Sequence, residues 1–175
     1  AKFIVSGSSL ISVTENSILD THVDIRNKLN SYLDKDPSLA GPLLRLAFHD
    51  AASRDEDRGG PNGSIRYELE RMENRGVARP FKVADEIASQ SSGTSVAVII
   101  ALGGAVAVEH AGGPHIDISM GRKDVLEADP ARLQRSLGTN RSLVETTLPS
   151  PRLDSDGLRL YFRRLGFTDA EWVAL

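Results

Sequence analysis

The sequence predicts an all-α domain of orthogonally packed helices joined by long loops. Three observations lead there. Apolar residues recur at helical spacing in successive stretches of the chain. One stretch, "SVAVIIALGGAVAVEH" at 95–110, is apolar on every side, as expected of a central helix. Its Val and Ile residues also suit a strand, but its length favours a helix. Finally, start and stop signals bracket several of the stretches.

Residues 1–16 are Ser-rich after a short apolar patch, Phe3, Ile4 and Val5, and read as an extended N-terminal arm. The remainder, 17–175, reads as the folded domain. Residues 17–34 put Ile18, Val23, Ile25, Leu29, Tyr32 and Leu33 roughly on one helical stripe. Asp36-Pro37 breaks that helix, and Pro42 suits the first turn of the next, over about 42–53. Residues 53–64 form a charged, Gly-rich loop, and 65–76 a short helix or an irregular return. An amphipathic helix follows at 80–90, then the apolar helix at 95–110. Residues 111–125 read as loop with a short strand pair. Residues 126–152, with several prolines and little periodicity, read as a long surface excursion. A helix at 154–166 is closed by Gly166. The last, from 168, has Thr168 as cap and Glu171 at the capping-box position.

Composition narrows the function. Hydrophobic residues make up 40% of the 175 and charged residues 26%, in keeping with one domain and a sizeable core. The net charge of −3 gives no electrostatic footprint for nucleic acid or an anionic membrane. The longest apolar run, 96–108, is too short to span a bilayer. There is no cysteine, so disulfides, thiolate chemistry and Cys-ligated metals are excluded. "GGPNG" at 59–63 is a weak phosphate-loop signal, because no Lys-Ser/Thr follows it.

The informative stretch is "LLRLAFHDAA", 43–52. Arg45 and His49 stand four residues apart and share one helix face. One is a permanent cation and the other titrates near neutrality. A lone His on an apolar helix is more often a satisfied core residue. A fixed cation beside a neutral base, however, suits heterolysis of a peroxide O–O bond. One group moves a proton from the inner oxygen to the outer, and the other stabilises the developing charge.

"RLAFHDAA" resembles the distal helix of the plant, fungal and bacterial haem peroxidase superfamily. Other segments agree with that superfamily in order: "GGPNGSIRYELERMENRG" (59–76), "ADEIASQ" with "AVIIALGGAVAVEHAGGP" (84–114), "MGRKD" (120–124) and "LGFTDAEWVAL" (165–175). The resemblance spans roughly 18–175. Absence of cysteine and Phe48 before the histidine are similar to class I, in its ascorbate-peroxidase-related branch.

The resemblance implies an orthogonal helical haem-peroxidase fold and a haem b cofactor in the intact protein. Arg45 and His49 become the distal pair, with Phe48 packed over the haem face. Asn74 becomes the residue that fixes the His49 tautomer, with Asn62 as the alternative. Hydrogen peroxide and a small reductant are the implied substrates. Asp50, Gly60, Asn62 and Ser64 fall where some family members bind calcium, but Asn62 replaces an acid, so the loop reads as degenerate and metal-free. His110 and His115 flank "AGGP" and read as surface residues more than haem-edge residues; His22 reads as exposed.

The family's proximal histidine would follow Leu175. Residues 1–175 by themselves are therefore expected to bind no haem, and to associate with their own C-terminal half or with other subunits. The alternative reading is a non-catalytic, haem-free subunit of an organellar complex. The expected setting is organellar, with the chloroplast thylakoid lumen favoured.

Overall fold

The computed structural model describes residues 7–54, 59–130, 132–135, 143–146, 148–150 and 153–174. The chain runs as α1 (Gly7–Lys35), α2 (Ala40–Ala51), α3 (Ala78–Ser89) and α4 (Val96–His110). A two-stranded antiparallel ribbon follows, β1 (Arg132–Arg135) with β2 (Leu143–Thr146), then α5 (Ser155–Arg164) and α6 (Asp169–Ala174). Short 3₁₀ turns at Pro37–Leu39, Ser64–Tyr67 and Met72–Asn74 join the helices. No helix among the described residues is long and apolar enough to cross a membrane.

Helix α4 is the hub, buried along nearly its whole length. Helices α1, α2 and α3 all pack on it. The core joins Ile25, Leu29 and Leu33 of α1 to Leu43 and Leu46 of α2, Ile87 of α3 and Ile99, Ile100, Leu102 and Val106 of α4. Ser95 caps α4 by accepting from the Val98 N–H. Asp124 takes the two N–H groups before it, Val96 at 3.0 Å and Ala97 at 2.8 Å. Those donors would otherwise have no partner within the helix. The turn carrying Asp124 comes this close because of Gly63, which has φ +74° and whose added Cβ would lie 2.8 Å from Asp124 Oδ1. The α2–α4 crossing is closer still. A Cβ on Gly104 would lie 2.6 Å from the Ala47 Cβ. At the other end of α4, Arg26 of α1 pairs with Glu109 at 2.7 Å and donates to the Ile116 carbonyl at 2.7 Å.

Three expectations are corrected. Residues 7–16 are helical and continuous with the following helix, not an extended arm. They contain no proline and no breaker after Gly7, so nothing ends the helix there. Phe3, Ile4 and Val5 lie outside the described residues. The α1 stripe is also narrower than expected: Ile25, Leu29 and Leu33 are buried at i, i+4, i+8, while Ile18 and Val23 are exposed. The short strand pair lies at 132–146, inside the stretch expected to be a surface excursion, whereas 111–125 forms no strand.

At the C-terminal end, Asp154 caps α5, accepting from Gly157 N at 2.8 Å. The capping box forms as expected: Thr168 N donates to Glu171 Oε2 at 2.8 Å, and Glu171 N to Thr168 Oγ1 at 3.3 Å. Tyr161 ties α5 to the end of α2 by donating to the Ala52 carbonyl at 3.0 Å.

Candidate active site

Arg45, Phe48, His49 and Asp50 share α2, and the i, i+4 spacing brings the first and third together. Arg45 Nε donates to His49 Nε2 at 3.1 Å. An arginine can only donate, so Nε2 is the bare nitrogen and Nδ1 carries the proton. His49 Nδ1 meets Asn74 Oδ1 at 2.8 Å, and this oxygen accepts that proton. Asn74 is itself buried, and its Nδ2 donates to the Glu68 carbonyl at 2.9 Å. The amide is therefore held in one orientation and fixes the tautomer. Burial lowers the His49 pKa below its ordinary value; the Asn74 hydrogen bond opposes this, and the Arg45 charge adds to it. The balance of these effects favours the neutral imidazole.

Beside this line lies an apolar cavity of about 700 Å³, lined by Gly41, Leu44, Arg45, Phe48, Leu158, Phe162 and Trp172. Its volume falls within the range of small-molecule pockets. Phe162 stacks on Trp172, with ring centroids 6.1 Å apart and planes 11° apart. Arg45 is the one charged residue in the lining. A flat, largely apolar tetrapyrrole fits such a lining.

Asp50, Gly60, Asn62 and Ser64 do come together, but their oxygens face protein donors. Asp50 is fully buried and accepts from the N–H groups of Gly63 at 3.1 Å and Ile65 at 3.3 Å. Asn62 Oδ1 accepts from Ser64 N at 3.0 Å. These residues do not fit a calcium ion, and no cluster of three or more His, Asp or Glu able to hold a metal occurs among the described residues. Burial pushes the Asp50 pKa up to about 7, with the two N–H bonds opposing and the nearby Asp129 and Glu68 charges adding. Asn62 does not reach His49; its side chain bonds Asp129 and Ser64 instead.

The other histidines lie elsewhere. His22 is half-buried, not exposed, and its Nε2 lies 3.4 Å from Arg26 Nε. His110 sits 3.9 Å from Asp34. His115 is exposed and lies 3.1 Å from both Glu109 and Asp117.

Sequence reasoning missed Asp129, Glu68 and Arg71. Asp129 Oδ2 accepts from Ser53 Oγ at 2.6 Å and Ser64 Oγ at 3.0 Å. Buried Glu68 receives Asp129 N at 2.9 Å and Arg71 at 2.6 Å. No periodic signal marks the Asp129 contacts, since its partners lie far apart in sequence.

A peroxidase family model matches residues 25–175. The chain belongs to the peroxidase family. It is similar to L-ascorbate peroxidase 5, peroxisomal, of Arabidopsis thaliana, 37% identical over 137 residues, covering 76% of this chain and 44% of the relative. It is similar also to L-ascorbate peroxidase T, chloroplastic, of the same plant, 34% identical over 141 residues, 76% of this chain and 31% of the relative. The chain thus spans less than half the length of these relatives. Among solved structures, the TL29 protein of Arabidopsis thaliana shares the fold, with a TM-score of 0.66 and 24% identity over 87% of this chain and 70% of that one. The helical architecture and peroxidase kinship agree with the sequence reading, as does its ascorbate-peroxidase-related branch.

Proposed function

We propose that this chain supplies the distal side of a haem peroxidase that reduces hydrogen peroxide at the expense of a small reductant. The observation that carries this reading is the line Arg45–His49–Asn74 beside the apolar cavity. Leu44, Phe48, Leu158, Phe162 and Trp172 would hold the haem by apolar contact. When bound, haem supplies an iron that binds the peroxide and the electrons that break its O–O bond.

The chain's own part is proton handling. Asn74 keeps the Nδ1 proton in place, so Nε2 is the free base. Arg45 must release Nε2 for a peroxide to reach it. His49 Nε2 then takes the proton from the inner oxygen and returns it to the outer one, which leaves as water. The Arg45 guanidinium stabilises the negative charge that grows on the departing oxygen. His22, His110 and His115 lie outside the cavity lining and would not reach a haem held there, so residues 1–175 alone would hold no stoichiometric, histidine-ligated haem. The relatives named peroxisomal and chloroplastic support an organellar setting.

The absorption spectrum of the full-length protein tests the reading. A Soret band that shifts on adding stoichiometric hydrogen peroxide is expected. A pure, folded full-length protein without haem overturns it in favour of a non-catalytic subunit.

A further inference from the structure

Two routes lead away from His49, and both end on Asp129. The first is the body of α2, which carries His49. Ser53 stands four residues beyond His49, just past the helix end, and its Oγ is 2.6 Å from Asp129 Oδ2. Ser64 Oγ donates to the same oxygen at 3.0 Å, and Asn62 Nδ2 to Oδ1 at 3.1 Å. The second runs through Asn74. Its Nδ2 donates to the main-chain carbonyl of Glu68. The Glu68 carboxylate in turn accepts from Asp129 N at 2.9 Å and from Arg71 at 2.6 Å, and Arg71 also donates to the Asp129 carbonyl at 2.6 Å. Asp129, Ser53, Ser64, Glu68 and Asn74 are all buried. Buried groups so fully paired adopt one arrangement, because every alternative strands a donor or acceptor.

We infer that Asp129 is a positioning residue for His49: its carboxylate clamps the 126–130 loop to Ser53 at the end of α2, and its N–H clamps the same loop to the carboxylate of Glu68, whose carbonyl orients Asn74. The base is then tuned from a loop far along the chain that touches neither haem nor peroxide. The inference rests on the reading of His49 as the proton-transfer base. Its physical content is that the His49 tautomer depends on the Asp129 carboxylate.

The test uses the full-length protein with ¹⁵N-labelled histidine, where nitrogen shifts separate a protonated ring nitrogen from a bare one. Residues 1–175 contribute four histidines to assign. Wild type is expected to show His49 protonated at Nδ1 alone. Asp129→Ala and Arg71→Leu should each mix the tautomers and slow reaction with peroxide about tenfold, the low end for losing an outer-shell partner. Asp129→Asn keeps one oxygen for the two serines and should hold the tautomer closer to wild type. Should Asp129→Ala unfold the chain, Ser53→Ala and Ser64→Ala each delete one donor to the same oxygen and should shift the tautomer in the same direction. A lower melting temperature with the tautomer unchanged in every variant overturns the inference, because it leaves Asp129 a purely structural role. The tautomer is read without peroxide, so failure of the peroxidase reading alone, with no reaction even in wild type, is seen separately.

Discussion

Gly104→Ala should harm activity out of proportion to its effect on stability. The added Cβ would lie 2.6 Å from the Ala47 Cβ, against an ordinary carbon–carbon contact of about 3.5–4.0 Å. The two helices must therefore part by about 1 Å. Overpacking of this kind costs about 1–3 kcal/mol. Alanine in place of glycine in a helix returns about 1 kcal/mol. The net loss is then about 0–2 kcal/mol, which most folded domains survive. Arg45 and His49, however, ride on α2 and move with it, while Asn74 does not. A misplacement of about 1 Å can cost about 10²-fold in rate. The compensating change is Ala47→Gly. In the double variant the methyl group has merely crossed the interface, and the two helix propensities cancel. A double-mutant cycle should give a coupling energy of about 1–3 kcal/mol in urea unfolding and recover most of the peroxide rate by stopped flow. A Gly104→Ala protein with wild-type rate, or a double variant no better than the single, would refute the packing argument.

Other expectations are briefer. His49→Leu should slow the reaction of the haem-loaded full-length protein with hydrogen peroxide by about 10²–10⁴, and Arg45→Leu by less, since proton transfer survives; equal stopped-flow rates for wild type and His49→Leu exclude the base role. Asn74→Asp places a carboxylate against the imidazole and favours its protonated form. The rate needs neutral His49, whose pKa is normally lowered by burial, so the acid limb of the pH–rate profile should move to higher pH; an unmoved limb rejects the contact. Asp50 has a folded pKa raised to about 7, so its contribution to stability is fully present below about pH 4 and is lost as pH rises through 7, by up to about 4 kcal/mol. Asp50→Asn should flatten that decline in urea titrations at pH 5 and 8; identical pH slopes would show that Asp50 does not titrate there.

What was legible in the sequence followed local rules. The apolar run became α4 because only a helix surrounded by others tolerates apolar residues on every side. The Thr168–Glu171 box and the Arg45–His49 face are set by spacing alone. Residues 7–16 were misjudged because Ser, Thr and Asn look like loop residues, although none forbids a helix. The ribbon at 132–146 was hidden because short strands are defined by their partner more than by pattern. Asp129 was invisible for a related reason. Its role is created by Ser53, Asn62, Ser64 and Glu68, which only folding assembles.

The stacking of Trp172 on Phe162 has an optical consequence. Trp172 is the only tryptophan in the sequence, it lines the cavity, and its Nε1 is buried with no hydrogen-bond partner among the described residues. An indole in so apolar a setting emits toward the blue. A porphyrin entering the cavity would lie within a few ångströms of it and absorb in the same spectral region, draining its excited state by energy transfer. The fluorescence of this one side chain therefore reports, without any added label, whether the cavity is filled.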